Sequence, residues 1–379
     1  MTTATRLRAL LLAVVVLSLG CSRRDQSSLK LGAILSLTGP AAAYGQDNLK
    51  GLTIAQRLTN SLGGIHGKQL SLEVEDSAGD PAQAVALGRR FASDPDIVAI
   101  VGPTRTGCTV AVARLLPLLK LPMMSVGSTG DWPAAEGRFN DWTFRSTRVD
   151  SYLVGPLLAA ARDRFGIKTI GIIYTANDDW SASVLKVYTR VAHDLGIPVT
   201  SVKGQMTGDI DRSVQLTDIL TTKPDGLVIN TLASDAPLIA AEARRLGFTG
   251  RFIGTAGFTN PQTWNLADPG VLEGTLLADN FFAGSSRPAV QRFVAQYRKA
   301  YSAEPPAYAA YAYDGLLLVA EAARRAHDPH DRAQLRNELA GIAGFDGALG
   351  KLTYHGSGDA QKEPLVLMIS HGRYSLIQG

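Results

Sequence analysis

With 379 residues, the chain predicts two domains at roughly 150 residues each, both large enough for an ordinary core. Its 19% charged and 45% hydrophobic residues exclude disordered and collagen-like chains, and its two cysteines cannot make a disulfide scaffold. A net charge of +4, with no basic run longer than two residues, excludes a nucleic-acid footprint.

The N-terminus carries Arg6 and Arg8 ahead of the apolar run 10–17. That run is too short for a membrane-spanning helix, which needs about 20 apolar residues, so 1–20 reads as an export signal peptide. No later segment is long and apolar enough to span a membrane. Ser18-Leu19-Gly20-Cys21 resembles a bacterial lipobox, which makes Cys21 the expected lipidation site and mature N-terminus. Ser18 departs from the usual leucine, so ordinary signal cleavage with an unmodified Cys21 is the alternative. Residues 21–28 are polar and without periodicity, the composition of a tether, and an acylated Cys21 leaves Cys108 without an intramolecular partner.

From residue 29, short β-branched runs alternate with segments of helical period, the pattern of βαβ units and a parallel sheet. Strands are expected at 29–37, 69–76, 97–101, 122–126, 168–174, 198–203, 226–230 and 251–254. Helices are expected at 46–62, 81–93, 150–165, 181–195, 211–220 and 235–246, with Gly166, Gly196 and Gly247 at C-cap positions. The tail adds helices at 288–301, 307–326 and 331–340 and short strands at 350–354, 365–370 and 373–377. These strands are too few for a third sheet, so the tail returns to complete the first two.

Ligands of open parallel sheets bind beyond the carboxyl ends of the strands, where helix N-termini aim free N–H groups. The loops there are rich in small polar residues: Gly102-Pro103-Thr104-Arg105-Thr106-Gly107-Cys108-Thr109, and Gly127-Ser128-Thr129-Gly130-Asp131. Their hydroxyl and backbone donors suit a carboxylate, although Thr106 and Thr129 could equally be plain helix caps. Tyr44, in the loop after the first strand, is placed at the mouth of the same cleft.

Ser36-Leu37-Thr38-Gly39-Pro40 with Tyr44-Gly45, the turn Gly63-Gly64-Ile65-His66-Gly67-Lys68, Asp76 with Asp80-Pro81, and Val101-Gly102-Pro103 together resemble the leucine/isoleucine/valine-binding family. These are type I periplasmic solute-binding proteins that deliver ligand to ABC importers. The resemblance spans essentially all of 29–379. It implies an α/β fold of two lobes, each a mostly parallel sheet flanked by helices, joined by three crossover hinge segments near 146–148, 278–280 and 352–354. Lobe one is then 29–147 plus 279–352, and lobe two is 148–278 plus 353–379.

Carried over by position, the resemblance implies that Thr106, the Gly127 backbone and Thr129 hold a ligand carboxylate. It also implies that Tyr44 lines the pocket and that Trp180 closes from lobe two. The family segment Phe-x-Gly-x-Glu-Gly, whose glutamate accepts a ligand ammonium, reads Phe252-Ile253-Gly254-Thr255-Ala256-Gly257 here, so Ala256 replaces the carboxylate. A buried ammonium without an anionic partner costs several kcal/mol. Either another carboxylate substitutes, with Asp178, Asp179 and Asp235 as candidates, or the ligand has no ammonium. A family aromatic falls near Ala233, and that extra room beside Trp180 and Phe258 suits a larger apolar or aromatic carboxylate. Arg105 is a candidate for a second ligand carboxylate.

The resemblance thus implies a lipid-anchored receptor in the periplasm or at the cell surface. Its partners would be a small carboxylate-bearing ligand, ABC permease subunits and the membrane through the N-terminal lipid. A sensory protein docking a chemoreceptor or regulator is the alternative. An enzyme is not expected, since the chain lacks Gly-x-x-x-x-Gly-Lys-Ser/Thr, His-Glu-x-x-His, Gly-x-Ser-x-Gly and a strand-associated Gly-x-Gly-x-x-Gly. No cofactor is expected, and His327-Asp328-Pro329-His330 is too weak a pattern to call for a metal.

Overall fold

The computed structural model describes residues 28–131, 140–268, 270–354, 358–359 and 364–378. The expected signal peptide, most of the tether and Cys21 lie outside these residues.

β1 (Ser28–Leu35), β2 (Gln69–Asp76), β3 (Ile97–Val101), β4 (Met123–Ser125) and β5 (Thr143–Arg145) form a wholly parallel sheet in the order β2-β1-β3-β4-β5. All five residues of β3 are buried, as expected of a strand covered by helices on both faces. The helices that connect these strands are α1 (Ala42–Ser61), α2 (Pro81–Ser93), α3 (Thr106–Ala113) and the single turn α4 (Leu116–Leu119). Local chemistry sets the ends: α2 starts with Pro81 behind Asp80, whose side chain accepts from the Gln83 N–H.

The chain then crosses to a second sheet through α5 (Asp150–Phe165), β6 (Ile170–Thr175), α6 (Asp179–Asp194), β7 (Val199–Gln205), α7 (Ser213–Leu220), β8 (Gly226–Asn230), α8 (Ala236–Arg245), β9 (Arg251–Gly254) and β10 (Leu276–Asp279). After β10, α9 (Pro288–Tyr301), α10 (Ala307–Arg325) and α11 (Arg332–Ala340) return to the first sheet, where α10 packs on α1. The two helices approach closely because Gly51 has no side chain, and a Cβ there would lie 2.0 Å from the Ala309 carbonyl oxygen. A two-stranded hairpin of β11 (Phe345–Gly347) and β12 (Gly350–Leu352) follows. The chain crosses once more to β13 (Leu365–Ser370) and β14 (Arg373–Gln378), which pair antiparallel in the seven-stranded order β14-β13-β10-β9-β8-β6-β7.

The architecture is the expected one, two mostly parallel sheets flanked by helices, with local differences. The strands β5 and β10, three and four residues long, are too short to announce themselves in the sequence and are fixed by pairing with their neighbours. Of the expected tail strands, β13 and β14 complete the second sheet, none joins the first, and β12 pairs only with β11 in a separate two-stranded sheet. Helix α1 begins four residues before the expected start, which moves Tyr44 from a loop into a first helical turn.

The crossings are tied side by side. The Arg148 N–H donates to Asn280 Oδ1 at 3.0 Å, Asn280 Nδ2 donates to the Arg148 carbonyl at 3.3 Å, and the Tyr354 hydroxyl donates to the Arg145 carbonyl at 2.9 Å. No helix among the described residues is long and apolar enough to cross a membrane.

Candidate functional site

In the first sheet, β1 lies between β2 and β3, so the chain reverses its direction of travel across the sheet there, and the loops after β1 and β3 diverge into a crevice. In the second sheet, β6 lies between β7 and β8 and opens a second crevice between the loops after β6 and β8. The two crevices face each other. Between them lies one small space lined by Tyr44, Thr104, Arg105, Thr106, Gly107, Gly127 and Tyr308 from the first half and by Asp178, Trp180, Leu232 and Ala256 from the second.

On the first side, Asn48 ties two loops and the start of α10 together from within α1. Its Nδ2 donates to the carbonyls of Val126 at 3.0 Å and Tyr308 at 2.8 Å, and its Oδ1 accepts from the Thr104 hydroxyl at 2.9 Å. Thr104 Oγ1 in turn accepts the Ser36 N–H at 3.2 Å. Thr106 opens α3, and its Oγ1 accepts from Ser128 Oγ and the Gly130 N–H, both at 3.3 Å. Gly127 sits where a Cβ would lie 2.3 Å from the Thr104 carbonyl oxygen, so the loops after β3 and β4 pack backbone against backbone. Tyr44 stacks on Tyr308 with ring centroids 4.2 Å apart.

On the second side, Asp178 caps α6 by accepting the Ser181 N–H at 2.8 Å. Its other oxygen accepts from Arg105 across the cleft. The Trp180 indole N–H donates to Asp150 Oδ2 at 2.8 Å. The Tyr44 hydroxyl also crosses the cleft, donating to the Ala256 carbonyl at 3.1 Å and accepting the Ala233 N–H at 2.6 Å. Asn260 Nδ2 donates to Asp47 Oδ2 at 2.8 Å and completes the set of bridges. The space left is about 20 Å³, room for about one water.

The expected site residues are thus largely brought together: Tyr44, Arg105, Thr106, Gly127, Asp178, Trp180 and Ala256 share one space. Thr129 lies behind its wall, and Asp179 is an exposed side chain beside Gly107. Three expectations change. Arg105 does not point free for a second carboxylate, because it holds Asp178 and also donates to the Gly79 carbonyl at 3.1 Å. Asp235 is taken by Arg212, whose NH2 lies 2.7 Å away. The room near Ala233 is filled by the Tyr44 hydroxyl, and Phe258 turns into the core of the second half rather than toward the cleft. His330 meets Lys68 Nζ at 3.1 Å, and no group of metal-ligating side chains occurs among the described residues.

Asn48, Thr104, Gly107, Leu232 and Tyr308 line or brace the site without having been singled out. Tyr308 is one of three tyrosines in the alanine-rich start of α10, and only the packing of α10 on α1 aims it at the cleft.

A family model described as periplasmic binding protein matches residues 28–368. The chain belongs to this family. Its members bind solutes and are not enzymes. The Leu/Ile/Val-binding protein homolog 1 of Brucella suis is 26% identical over 356 residues, 92% of this chain and 93% of the relative. Among solved structures, the leucine-binding protein LivK of Thermotoga maritima superposes with a TM-score of 0.85 at 24% identity, over 92% of this chain and 98% of that one. The branched-chain amino acid transporter substrate-binding protein LivJ of Streptococcus pneumoniae, in complex with isoleucine, also gives 0.85 at 23% identity, over 93% and 100%. Both structures share the two-sheet fold. The family's description places its members in the periplasm.

Proposed function

We propose that the chain is the substrate-binding lipoprotein of an ABC importer, taking a small carboxylate-bearing ligand between two lobes that close on it. The lobes are 29–147 plus 279–352 and 148–278 plus 353–379, after a signal peptide at 1–20 and a tether at 21–28 anchored through Cys21. The observation that carries the reading is the cross-cleft set of contacts, in which loops of both sheets enclose a space of about 20 Å³. That space is too small for an amino acid, so a ligand enters only when the lobes part, and closure returns contacts from both sides.

Within the cleft, the Thr106 hydroxyl and the backbone around Gly127 and Gly130 are the carboxylate donors, with Thr129 bracing the same loop. Trp180 and Tyr44 are the aromatic walls, and Ala256 leaves space where a larger side chain would intrude. Arg105 and Asp178 hold the closed form together. Asp179, exposed at the rim, meets the ligand on entry. The similarity to LivJ, whose structure holds isoleucine, and to a Desulfitobacterium hafniense substrate-binding protein in complex with Leu points toward apolar amino acids or related acids.

Native mass spectrometry of the purified protein, followed by isothermal titration with amino acids, amides and aromatic acids, tests this. A retained small carboxylate and one-to-one binding are expected. Folded protein that binds none of these compounds overturns the reading. Mass spectrometry of the membrane fraction is expected to find Cys21 acylated, and an unmodified Cys21 removes the anchor.

A further inference from the structure

Arg145, the last residue of β5, is 0% exposed. An arginine is rarely shut from water entirely, because its charge must then be met by placed partners. Its guanidinium reaches in two directions. Nη1 donates to the Gly130 carbonyl at 2.9 Å and the Ser128 carbonyl at 3.2 Å, while Nε lies 2.6 Å from Asp359 Oδ1. The main chain of Arg145 repeats the second direction. Its N–H donates to the Gly358 carbonyl at 2.9 Å, and its carbonyl accepts the Tyr354 hydroxyl at 2.9 Å. Tyr354, Gly358 and Asp359 all lie between β12 and β13, in the last crossing between the sheets. One residue thus joins the loop after β4 to that crossing. Burial brings the guanidinium down to about 10 against the opposing fields of Asp359, Asp131 and Asp150, so it is charged at neutral pH. Asp150 is itself pushed up by burial to about 6.

The loop that Arg145 holds controls a wall residue of the cleft. Three successive carbonyls of the loop are bound on the side away from Thr106. Ser128 accepts from Arg145 and from the Thr147 hydroxyl at 3.2 Å, Thr129 accepts the Asp150 N–H at 2.8 Å, and Gly130 accepts from Arg145. The loop's donors turn the other way. Ser128 Oγ and the Gly130 N–H both donate to Thr106 Oγ1, each at 3.3 Å. A hydroxyl has two lone pairs and one proton, so with both lone pairs occupied Thr106 has only its proton left to offer. Thr106 lines the space between the sheets, and Arg105 beside it is taken by Asp178. Recognition of an acid on this wall therefore falls to a donor whose direction the loop sets.

We propose that Arg145 is a positioning residue for ligand recognition: it holds the Ser128 and Gly130 carbonyls so that Thr106 is a fixed donor to the ligand carboxylate, and its pairing with Asp359 ties that arrangement to the last crossing. This rests on the carboxylate-binding reading above. Both oxygens of a carboxylate accept, whereas the neutral amide of the same compound puts an NH2 donor against a wall that offers donors. Loosening the loop frees Thr106 to turn and accept, which costs the acid its advantage over the amide.

Competitive isothermal titration with matched acid and amide pairs, leucine with leucinamide and hydrocinnamate with hydrocinnamamide, tests the role. The wild-type protein is expected to bind the acid of at least one pair more tightly. Arg145→Lys keeps a positive charge beside Asp359 but has no planar fork to hold two carbonyls. It is expected to weaken the acid by about tenfold or more and to leave the amide within about twofold. A merely structural arginine predicts that acid and amide fall by the same factor, or that neither changes, and either result overturns the proposal. If Arg145→Lys does not fold, Asp359→Asn carries the test, since it leaves Arg145 in place without its ion partner. Selective weakening of the acid then supports the positioning role, and an equal or absent effect overturns it. A wild-type protein that prefers the acid, with variants that keep the preference, overturns the role of Arg145 and leaves the carboxylate reading standing. A wild-type protein that binds acid and amide alike, or neither, removes both.

Discussion

The Tyr44 hydroxyl bridges the two halves of the molecule at Ala256, donating to its carbonyl oxygen at 3.1 Å while accepting the Ala233 N–H at 2.6 Å. Tyr44 belongs to α1 of the first half, and both partners belong to the second. The ring is held by its stack on Tyr308, so in the proposed closure the hydroxyl is positioned in advance and its bonds form as the halves meet. Tyr44→Phe keeps the stack and removes both bonds. The Ala256 carbonyl retains a donor in the Thr259 hydroxyl at 2.9 Å, while the Ala233 N–H loses the Tyr44 oxygen as its acceptor. The expected result is an affinity about tenfold weaker, with unchanged urea stability of each half and a more expanded scattering envelope. An unchanged affinity removes Tyr44 from the closing mechanism.

Arg105 and Asp178 form the second bridge, and Asp178 is nearly inaccessible to solvent. Truncating one partner strands a buried charge, so the single variants Arg105→Ala and Asp178→Ala are each expected to weaken ligand binding, by about 3 kcal/mol at the upper end. Asp178→Ala also removes the α6 cap, which adds about 1 kcal/mol of lost stability that Arg105→Ala does not share. A double-mutant cycle in the binding constant separates the two effects. A coupling of about 0.5–3 kcal/mol is expected, and additive losses show that the pair does not latch the cleft.

How much of this was legible in the sequence differs from place to place. The alternation of apolar runs and helical periods marked most elements, because buried parallel strands such as β3 are apolar on both faces and carry their own signal. β5 and β10 carried none, since each is a few residues made a strand by its neighbours. The loops of the site were readable because small polar residues after strands have a local meaning at a helix start. The Arg105–Asp178 pairing was not, since it joins residues 73 positions apart on different sheets. Phe258 was misplaced for a related reason, as a short 3-10 turn at Ala256–Phe258 rotates its ring into the core. Asn48 and Asp150 look like ordinary helix residues until tertiary packing brings loops onto them.

Asp47 predicts a pH dependence. Burial raises its carboxyl from its ordinary 3.8 to about 6, against a smaller opposing effect of Lys50, and its Oδ2 accepts from Asn260 across the cleft. A folded-state pKa above the unfolded one means that the folded protein holds the proton more tightly. The stabilisation is therefore complete below about pH 4 and is lost as the pH rises through about 6. The change amounts to about 3 kcal/mol. Asp47→Asn removes this titration and keeps an acceptor for Asn260. Urea unfolding at several pH values is expected to show the variant gaining on the wild type between pH 4 and 7, with Asp150 cancelling because it titrates in both. Parallel curves contradict the assignment.

Gly127 is the sharpest steric test of the carboxylate loop. A methyl group there would lie 2.3 Å from the Thr104 carbonyl oxygen and 3.0 Å from the Tyr308 ring, and neither can retreat easily. Thr104 is held by Asn48 and Ser36, and Tyr308 is held by its stack on Tyr44. Gly127→Ala must therefore move the loop after β4 away from the loop after β3, carrying the Gly130 N–H off the Thr106 hydroxyl, now 3.3 Å away. Overpacking of this kind costs about 1–3 kcal/mol. Because the strain falls on the donors proposed to hold the carboxylate, binding of amino acids and of deaminated acids is expected to fall together, by about tenfold or more. A variant that loses only amine-bearing ligands places the carboxylate elsewhere.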